Sequence, residues 1–266
     1  MSGQIPESSG GAAPAVLVRS LFVRHRNVLM TRASLSELYA DYYLHLADNG
    51  LRVEPQHDAM FKTALAAFAL HLSARPRNEH ISWTLNFQEP LLNIFLVGDS
   101  ATGAVTGRVF NEGVKQDTQN NFYQELLRAN KPLARSYVDF EGHDPLLAAE
   151  RYYARSEQRP AKFFQLEEEH FVMIGAHPDY DESWFDRLDI AQVKTLTEDE
   201  NVNLLETRAV HWHCGCHKDK ILEVLAPVAS ENMDALFQGD PEITVNCPRC
   251  AARYTVTRPE MEAALA

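Results

Sequence analysis

The chain has 266 residues, long enough for one large domain with an ample core plus a small one. Its formal net charge of −12 argues against a nucleic-acid ligand, because phosphate contacts need a basic face. No segment reaches the ~18 apolar residues that a membrane helix requires, and the longest candidate, 64–72, is interrupted by His71.

The opening MSGQIPESSGGAAPA lacks a basic start and an apolar core, so no secretory signal is expected there and a cytoplasmic location is. Residues 1–13, small, polar and rich in Gly and Ser, read as a disordered lead-in. Segments 16–24 and 27–31 carry Val, Leu and Phe and predict two strands. Ser34-Leu-Ser-Glu37 has the form of a capping box, and Leu35, Tyr39, Tyr42 and Leu46 then follow at helical spacing up to a stop at Gly50. Pro55 can open a second helix, whose Met60, Phe61, Ala64, Leu65, Phe68 and Leu72 make a broad apolar surface, read as core.

Strands are expected over 81–87, 90–97, 104–110, 133–140, 162–166 and 170–174, with helices at about 122–129 and 146–157. Asp144-Pro145 introduces the second of these helices, since Asp caps and Pro fits a first turn. The expectation is an α+β domain over 14–177, without internal repeats. Beyond it lies a linker, 178–208, whose segment 183–195 is weakly amphipathic through Trp184, Phe185, Leu188, Ala191 and Val193. Residues 209–266 are read as a small metal-binding domain: a strand into Cys214, one or two short helices, then a hairpin.

That last assignment rests on the cysteines. All four lie there, Cys214 and Cys216 in HWHCGCHK, Cys247 and Cys250 in VNCPRCAARY. Two tight thiol pairs suit the four tetrahedral ligands that Zn²⁺ favours; free pairs and structural disulfides are the alternatives. In a reducing cytosol paired cysteines point to metal or redox chemistry. Such a zinc could be purely structural, folding a module too small to bury a core. Adjacent thiolates in a Cys-x-Cys pair, however, can also close on each other once one becomes a sulfenic acid. His211 and His213 fall on the strand face opposite Val210 and Trp212 and are read, with His217, as solvent-facing rather than as ligands. Cys247-Pro-Arg-Cys250 could be an oxidoreductase dithiol, but a strand, not a helix, is expected after it. No phosphate-cradling loop or nucleophile elbow is present. Glu167-Glu-Glu169 reads as solvated surface, and Arg151, Arg155 and Glu157 as exposed ion pairing.

The stretch Trp212-His-Cys-Gly-Cys216, the helical run Lys220–Leu225, then Met233, Leu236, Phe237 and Glu242-Ile-Thr-Val-Asn-Cys-Pro-Arg-Cys250 with Arg253-Tyr-Thr-Val256 closely resembles the heat-shock protein 33 family of redox-regulated chaperones. Tyr152-Tyr-Ala-Arg-Ser-Glu-Gln-Arg-Pro160 is a second match; the family's glycine-rich turn with an Asp-Gly-Pro core is absent, and Asn86-Phe-Gln-Glu-Pro90 stands near where it should be. The resemblance implies an N-terminal curved sheet with helices, a helical linker lying over it, and a C-terminal zinc-binding redox switch. It implies a holdase without enzymatic turnover, inactive when reduced and zinc-bound. Oxidation would form Cys214–Cys216 and Cys247–Cys250 disulfides, release zinc, and expose surface for unfolding client proteins. It further implies homodimers when oxidised, and partners in thiol-reducing systems and an ATP-driven foldase. A constitutive zinc-stabilised protein-binding module is the alternative. The linker is short for the family's covering subdomain, which leaves Trp184, Phe185 and Leu188 as the expected latch anchors.

Overall fold

The computed structural model describes residues 15–129 and 131–265; the expected lead-in, residues 1–13, lies outside the described residues. The chain runs β1 (Val16–Val23), β2 (Val28–Ser34), α1 (Ser36–Asp48), α2 (Pro55–Ala74), β3 (Glu79–Gln88), β4 (Leu91–Asp99), β5 (Ala104–Phe110), β6 (Asn120–Arg128) and β7 (Lys131–Phe140). It continues through α3 (Pro145–Arg155), β8 (Ala161–Glu167), β9 (His170–Ala176), α4 (Glu182–Arg187), α5 (Ile190–Asp199) and β10 (Val202–Trp212). The C-terminal part holds α6 (Lys218–Phe237), β11 (Glu242–Asn246), β12 (Arg253–Thr257) and α7 (Arg258–Leu265).

Ten strands form one sheet in the order β7-β6-β3-β4-β5-β10-β1-β2-β9-β8, and β11 pairs with β12 alone. This is an α+β fold: a large sheet with helices and a small cysteine-bearing module at the C-terminal end. The large sheet has a seam. Its neighbours pair antiparallel except β5 and β10, which run parallel and are joined only at His211↔Ala104 and Trp212↔Val105. Gly103 permits that approach, because a Cβ there would sit 1.9 Å from the Ala209 carbonyl oxygen. Helix α2 spans the seam from one face, packing on β1, β2, β9, β4 and β5. Every residue from Ala64 to Ser73 is buried, so the apolar surface anticipated on this helix is core. Each fully buried Leu or Phe there stabilises by roughly 1.5–3 kcal/mol.

Several local expectations are corrected. The expected helix at 122–129 is strand through residue 128: β6 lies between β3 and β7 and buries Phe122, Gln124 and Leu126 at strand spacing. Ser34 does not cap α1, because it is spent as the last residue of β2, paired with His170. The amphipathic segment 183–195 is two helices, broken at Leu188, with Asp189 and Gln192 forming a capping box for the second. The segment read as linker ends in strand: β10 starts at Val202 and lies against the whole of β1. Helix α7 was not anticipated.

On the other face of the sheet, α4 and α5 cover β1, β2, β9 and β8. Phe185, Leu188, Val193 and Leu196 pack there with Leu21, Val23, Val28, Met30, Val172 and Ile174. Phe185 and Leu188 are buried; Trp184 is only partly so. The three expected anchors thus share their cluster with Val193, named on the amphipathic segment but not among the anchors, and with Leu196.

Glu157 is not exposed ion pairing either. It accepts two hydrogen bonds from Arg75 Nη1, at 3.0 and 3.1 Å, and one from Tyr152 Oη at 2.7 Å. Arg75 also holds the fully buried Glu79 at 3.0 Å, which Arg128 reaches at 2.6 Å. Arg151 and Arg155 are exposed.

Candidate metal centre

Two short backbone segments bring the thiols together. Strand β10 delivers the first pair: Val210 is buried in the main core, and Trp212 lies 5.3 Å from Tyr42 and 6.3 Å from Phe61 between ring centroids. His213 then faces solvent, and its amide continues the seam by donating to the Val105 carbonyl at 2.9 Å. Gly215, at φ +65°, turns the chain between Cys214 and Cys216. The second pair sits on the turn joining β11 to β12. There Ala251 N donates to the Cys247 carbonyl at 2.9 Å, and Cys247 N to the Ala252 carbonyl at 2.8 Å.

The four Sγ atoms lie within 4.8 Å of one another. Cys214 is 3.7 Å from Cys247 and Cys216 is 3.5 Å from Cys250. A tetrahedron with Zn–S bonds of ~2.3 Å has edges of ~3.8 Å, so this donor set fits a zinc ion. Cys247 and Cys250 are buried, and Cys214 and Cys216 half-buried. Tyr254 Oη donates to Cys216 Sγ at 3.1 Å, giving one ligand a second partner of the kind that tunes metal thiolates. His211, His213 and His217 are not in the cluster. Four thiolates would complete the tetrahedral set of a structural zinc, whereas a catalytic zinc keeps one position open for water or substrate.

Without a metal's charge the thiols share protons among themselves. Cys214 is pushed up to about 12, first by its hydrogen bond to Cys247. Cys247 is held far below the usual thiol range because Cys214 and Cys250 donate to it, and Cys250 is raised by its hydrogen bonds with Cys214 first and then with Cys247.

Around the site, Ile221, Ala229, Phe237, Val256 and Met261 make a small core, and Lys218 Nζ meets Glu260 at 2.5 Å between α6 and α7. A core of this size needs a staple, which a metal held by the four thiols would supply. Strand β12 follows Cys247-Pro-Arg-Cys250, the wrong context for an oxidoreductase dithiol, which opens a helix. Among the described residues no helix is long and apolar enough to cross a membrane.

Comparison with known proteins leads to the same place. Residues 165–257 match the family model described as Hsp33 protein. A 33 kDa chaperonin from Nitrosococcus oceani is 24% identical over 146 residues, 47% of this chain and 50% of that protein. One from Geobacter sulfurreducens is 33% identical over 60 residues, 23% of this chain and 20% of that protein. The matches thus span half or less of the length of these curated relatives. The crystal structure of a 33 kDa chaperonin (heat shock protein 33 homolog) from Thermotoga maritima superposes with a TM-score of 0.71 at 15% identity, covering 94% of this chain and 97% of that one. Residues 165–257, which hold both cysteine motifs, thus resemble the heat-shock protein 33 family in sequence, and the chain along nearly its whole length resembles the Thermotoga maritima homolog in fold.

Proposed function

We propose that this protein is a redox-switched holdase chaperone, silent while reduced and zinc-bound and active once its four cysteines are oxidised. The observation that carries the reading is the position of the thiol cluster at the end of β10. One strand runs from the α4–α5 cover, where Val202 packs against the cluster that holds Phe185 and Leu188, to Trp212, two residues before Cys214 of the thiol cluster. A change at the cluster is therefore felt at the cover.

When bound, zinc would keep the thiols deprotonated and the module folded. Cys214, Cys216, Cys247 and Cys250 would hold it. On attack by peroxide, one thiolate of a pair takes an oxygen atom as a sulfenic acid and the O–O bond breaks, releasing hydroxide. Its neighbour then attacks the sulfenic sulfur, the S–S bond forms, and a second hydroxide leaves. Each pair thus loses two electrons, and the peroxide becomes two waters after protonation. Cys214–Cys216 and Cys247–Cys250 are the proposed disulfides, because each pair stays tethered by one short backbone segment after the metal leaves. Loss of the module's staple would loosen β10 and the α4–α5 latch of Trp184, Phe185 and Leu188. The apolar sheet face beneath would then bind unfolding polypeptides. Dimerisation on oxidation, later reduction by thiol systems, client transfer to an ATP-driven foldase and a cytoplasmic location complete the proposal.

Light scattering of a heat-labile client, with reduced and peroxide-treated protein side by side, tests it: suppression of aggregation should appear only after oxidation. The burial of Cys247 and Cys250, 3% and 1% exposed, favours one competitor, a constitutive zinc-stabilised protein-binding module. Zinc release under peroxide separates the two, since a purely structural site keeps its metal.

A further inference from the structure

The second knuckle rests on the body of the molecule through its own backbone. The Cys250 carbonyl accepts a hydrogen bond from His45 Nε2 at 2.8 Å, near the end of α1. The Cys247 carbonyl accepts one from Arg108 Nη1 at 3.3 Å, on β5. Beside them, Arg253 N donates to Asn49 Oδ1 at 3.1 Å. A carbonyl can only accept, so His45 carries its proton on Nε2. Asn49 Nδ2, 3.5 Å from His45 Nδ1, faces the bare nitrogen that this tautomer leaves.

His45 touches both halves of the thiol site. Its ring stands 5.5 Å from that of Trp212, the residue two places before Cys214, while its Nε2 reaches Cys250. Arg108 is held in its own place, with its guanidinium carbon 4.2 Å from the Phe110 ring centroid. Four thiolates around one Zn²⁺ leave a net charge of about −2, and this arginine sits against the half-site that carries Cys247 and Cys250. The four ligands come from two backbone segments with no covalent tie closer than residues 217–246, so something must keep the segments in register. Strand β10 is fixed by the seam and by Trp212; the knuckle is fixed by these two donors.

We propose that His45 and Arg108 are positioning residues of the thiol switch: by gripping the carbonyls of Cys250 and Cys247 they hold the second cysteine pair against the first and slow zinc loss. The proposal rests on zinc being held by the four cysteines. It assigns the body of the protein, not the module alone, a share in setting the threshold of the switch.

The test uses full-length, reduced, zinc-loaded protein and follows zinc transfer to a chromogenic chelator, with and without peroxide. His45→Phe keeps the ring against Trp212 and deletes the donor; Arg108→Met keeps the stem and deletes donors and charge. Both should still bind one zinc per chain but release it at least about fivefold faster, the scale of one lost hydrogen bond. His45→Gln and Arg108→Lys, which keep a donor, should return release towards the wild-type rate, which general destabilisation of α1 or β5 would not do. Wild-type release rates from both His45→Phe and Arg108→Met would overturn the positioning role alone. So would equally fast release from the donor-keeping pair, which also answers the question should a donor-deleted variant fail to fold. Wild-type protein that holds no zinc would overturn this inference and the metal assignment together.

Discussion

Arg26 and Trp184 stack, with the guanidinium carbon 5.3 Å from the indole ring. The same arginine donates to Asp181 at 2.6 Å, just before α4, and to Glu200 at 2.8 Å, just after α5. One side chain in the turn between β1 and β2 therefore clasps both ends of the two-helix cover. Exposed ion pairs are worth roughly 0.2–1 kcal/mol each and an exposed cation–π contact about 0.5–1 kcal/mol. Arg26→Ala should then weaken the cover by about 1–2 kcal/mol. Hydrogen exchange of the α4 and α5 amides should quicken by about tenfold, while β3 stays protected. Unchanged exchange in α4 and α5 would mean that the clasp holds nothing.

The apolar contacts beneath are the larger part of the latch. Phe185 is 2% exposed, and its ring lies 5.3 Å from that of Tyr180. Truncating a buried Phe to Ala costs about 3–5 kcal/mol, more than a six-residue helix can absorb. Phe185→Ala should give a protein that suppresses client aggregation while still reduced and zinc-loaded. A reduced variant with full zinc, an exposed cover by hydrogen exchange and no suppression would detach the latch from client binding.

Sequence carried most of the strands, the two long N-terminal helices and the cysteine pairs, because each shows its period or spacing locally. It failed where a buried position is polar. In β6 the inward residues are Phe122, Gln124 and Leu126, and Gln124 is buried because its Oε1 accepts from the Trp83 indole at 2.7 Å. A glutamine in the inward row hides the alternation and leaves Phe122 and Leu126 looking like successive turns of a helix. A register shift at Ser20/Leu21 hides β10 in the same way, since the extra residue puts Leu204 and Leu205 side by side. Helix α7 was legible: Thr257-Arg-Pro-Glu260 is a capping box with a first-turn proline, and Thr257 N does donate to Glu260 at 2.8 Å. Arg26 and His45 gave no signal, because their partners lie more than 150 residues away in sequence.

The buried charges predict a large and specific loss. Glu79 is 0% exposed and paired with Arg75 and Arg128. Removing one partner of a buried ion pair costs about 3–5 kcal/mol, since the other is stranded. Glu79→Ala should lower the midpoint of thermal unfolding by roughly 10 °C for a chain of this size. Calorimetry showing a fall of less than a few degrees would mean that solvent reaches Arg75 in the variant.

Stability should also fall on mild acidification. His71 is fully buried, with Nδ1 against Tyr153 Oη at 2.7 Å; desolvation first, then Arg75 and Arg159, holds its pKa well below the usual value. The unfolded chain takes up a proton below pH ~6.5, and the folded protein does not. Folding therefore loses up to ~1.4 kcal/mol per pH unit below that point. His170 and His177, lowered in the same direction by burial, add to the slope. Urea unfolding at pH 7 and pH 5 should show the loss, and His71→Gln should flatten it. An unchanged slope in that variant would place the acid sensitivity elsewhere.

Zinc binding should release protons, and its strength should depend steeply on pH. Two of the metal-free thiols, Cys214 and Cys250, are raised by hydrogen bonds within the cluster and hold their protons at neutral pH. A zinc ion accepts thiolates only, so both protons must leave on binding. Calorimetric titration of the reduced apoprotein in two buffers of different ionisation enthalpy should therefore report one zinc and at least two protons released per chain. Apparent affinity should fall about a hundredfold for each unit of pH lost. Cys216→Ser removes one thiolate and the acceptor of Tyr254, so it should lose tight binding altogether. Tyr254→Phe keeps all four ligands and should retain the stoichiometry. Binding without proton release, or a Cys216→Ser variant that still holds one zinc tightly, would mean that the metal is not held by the four cysteines as a set.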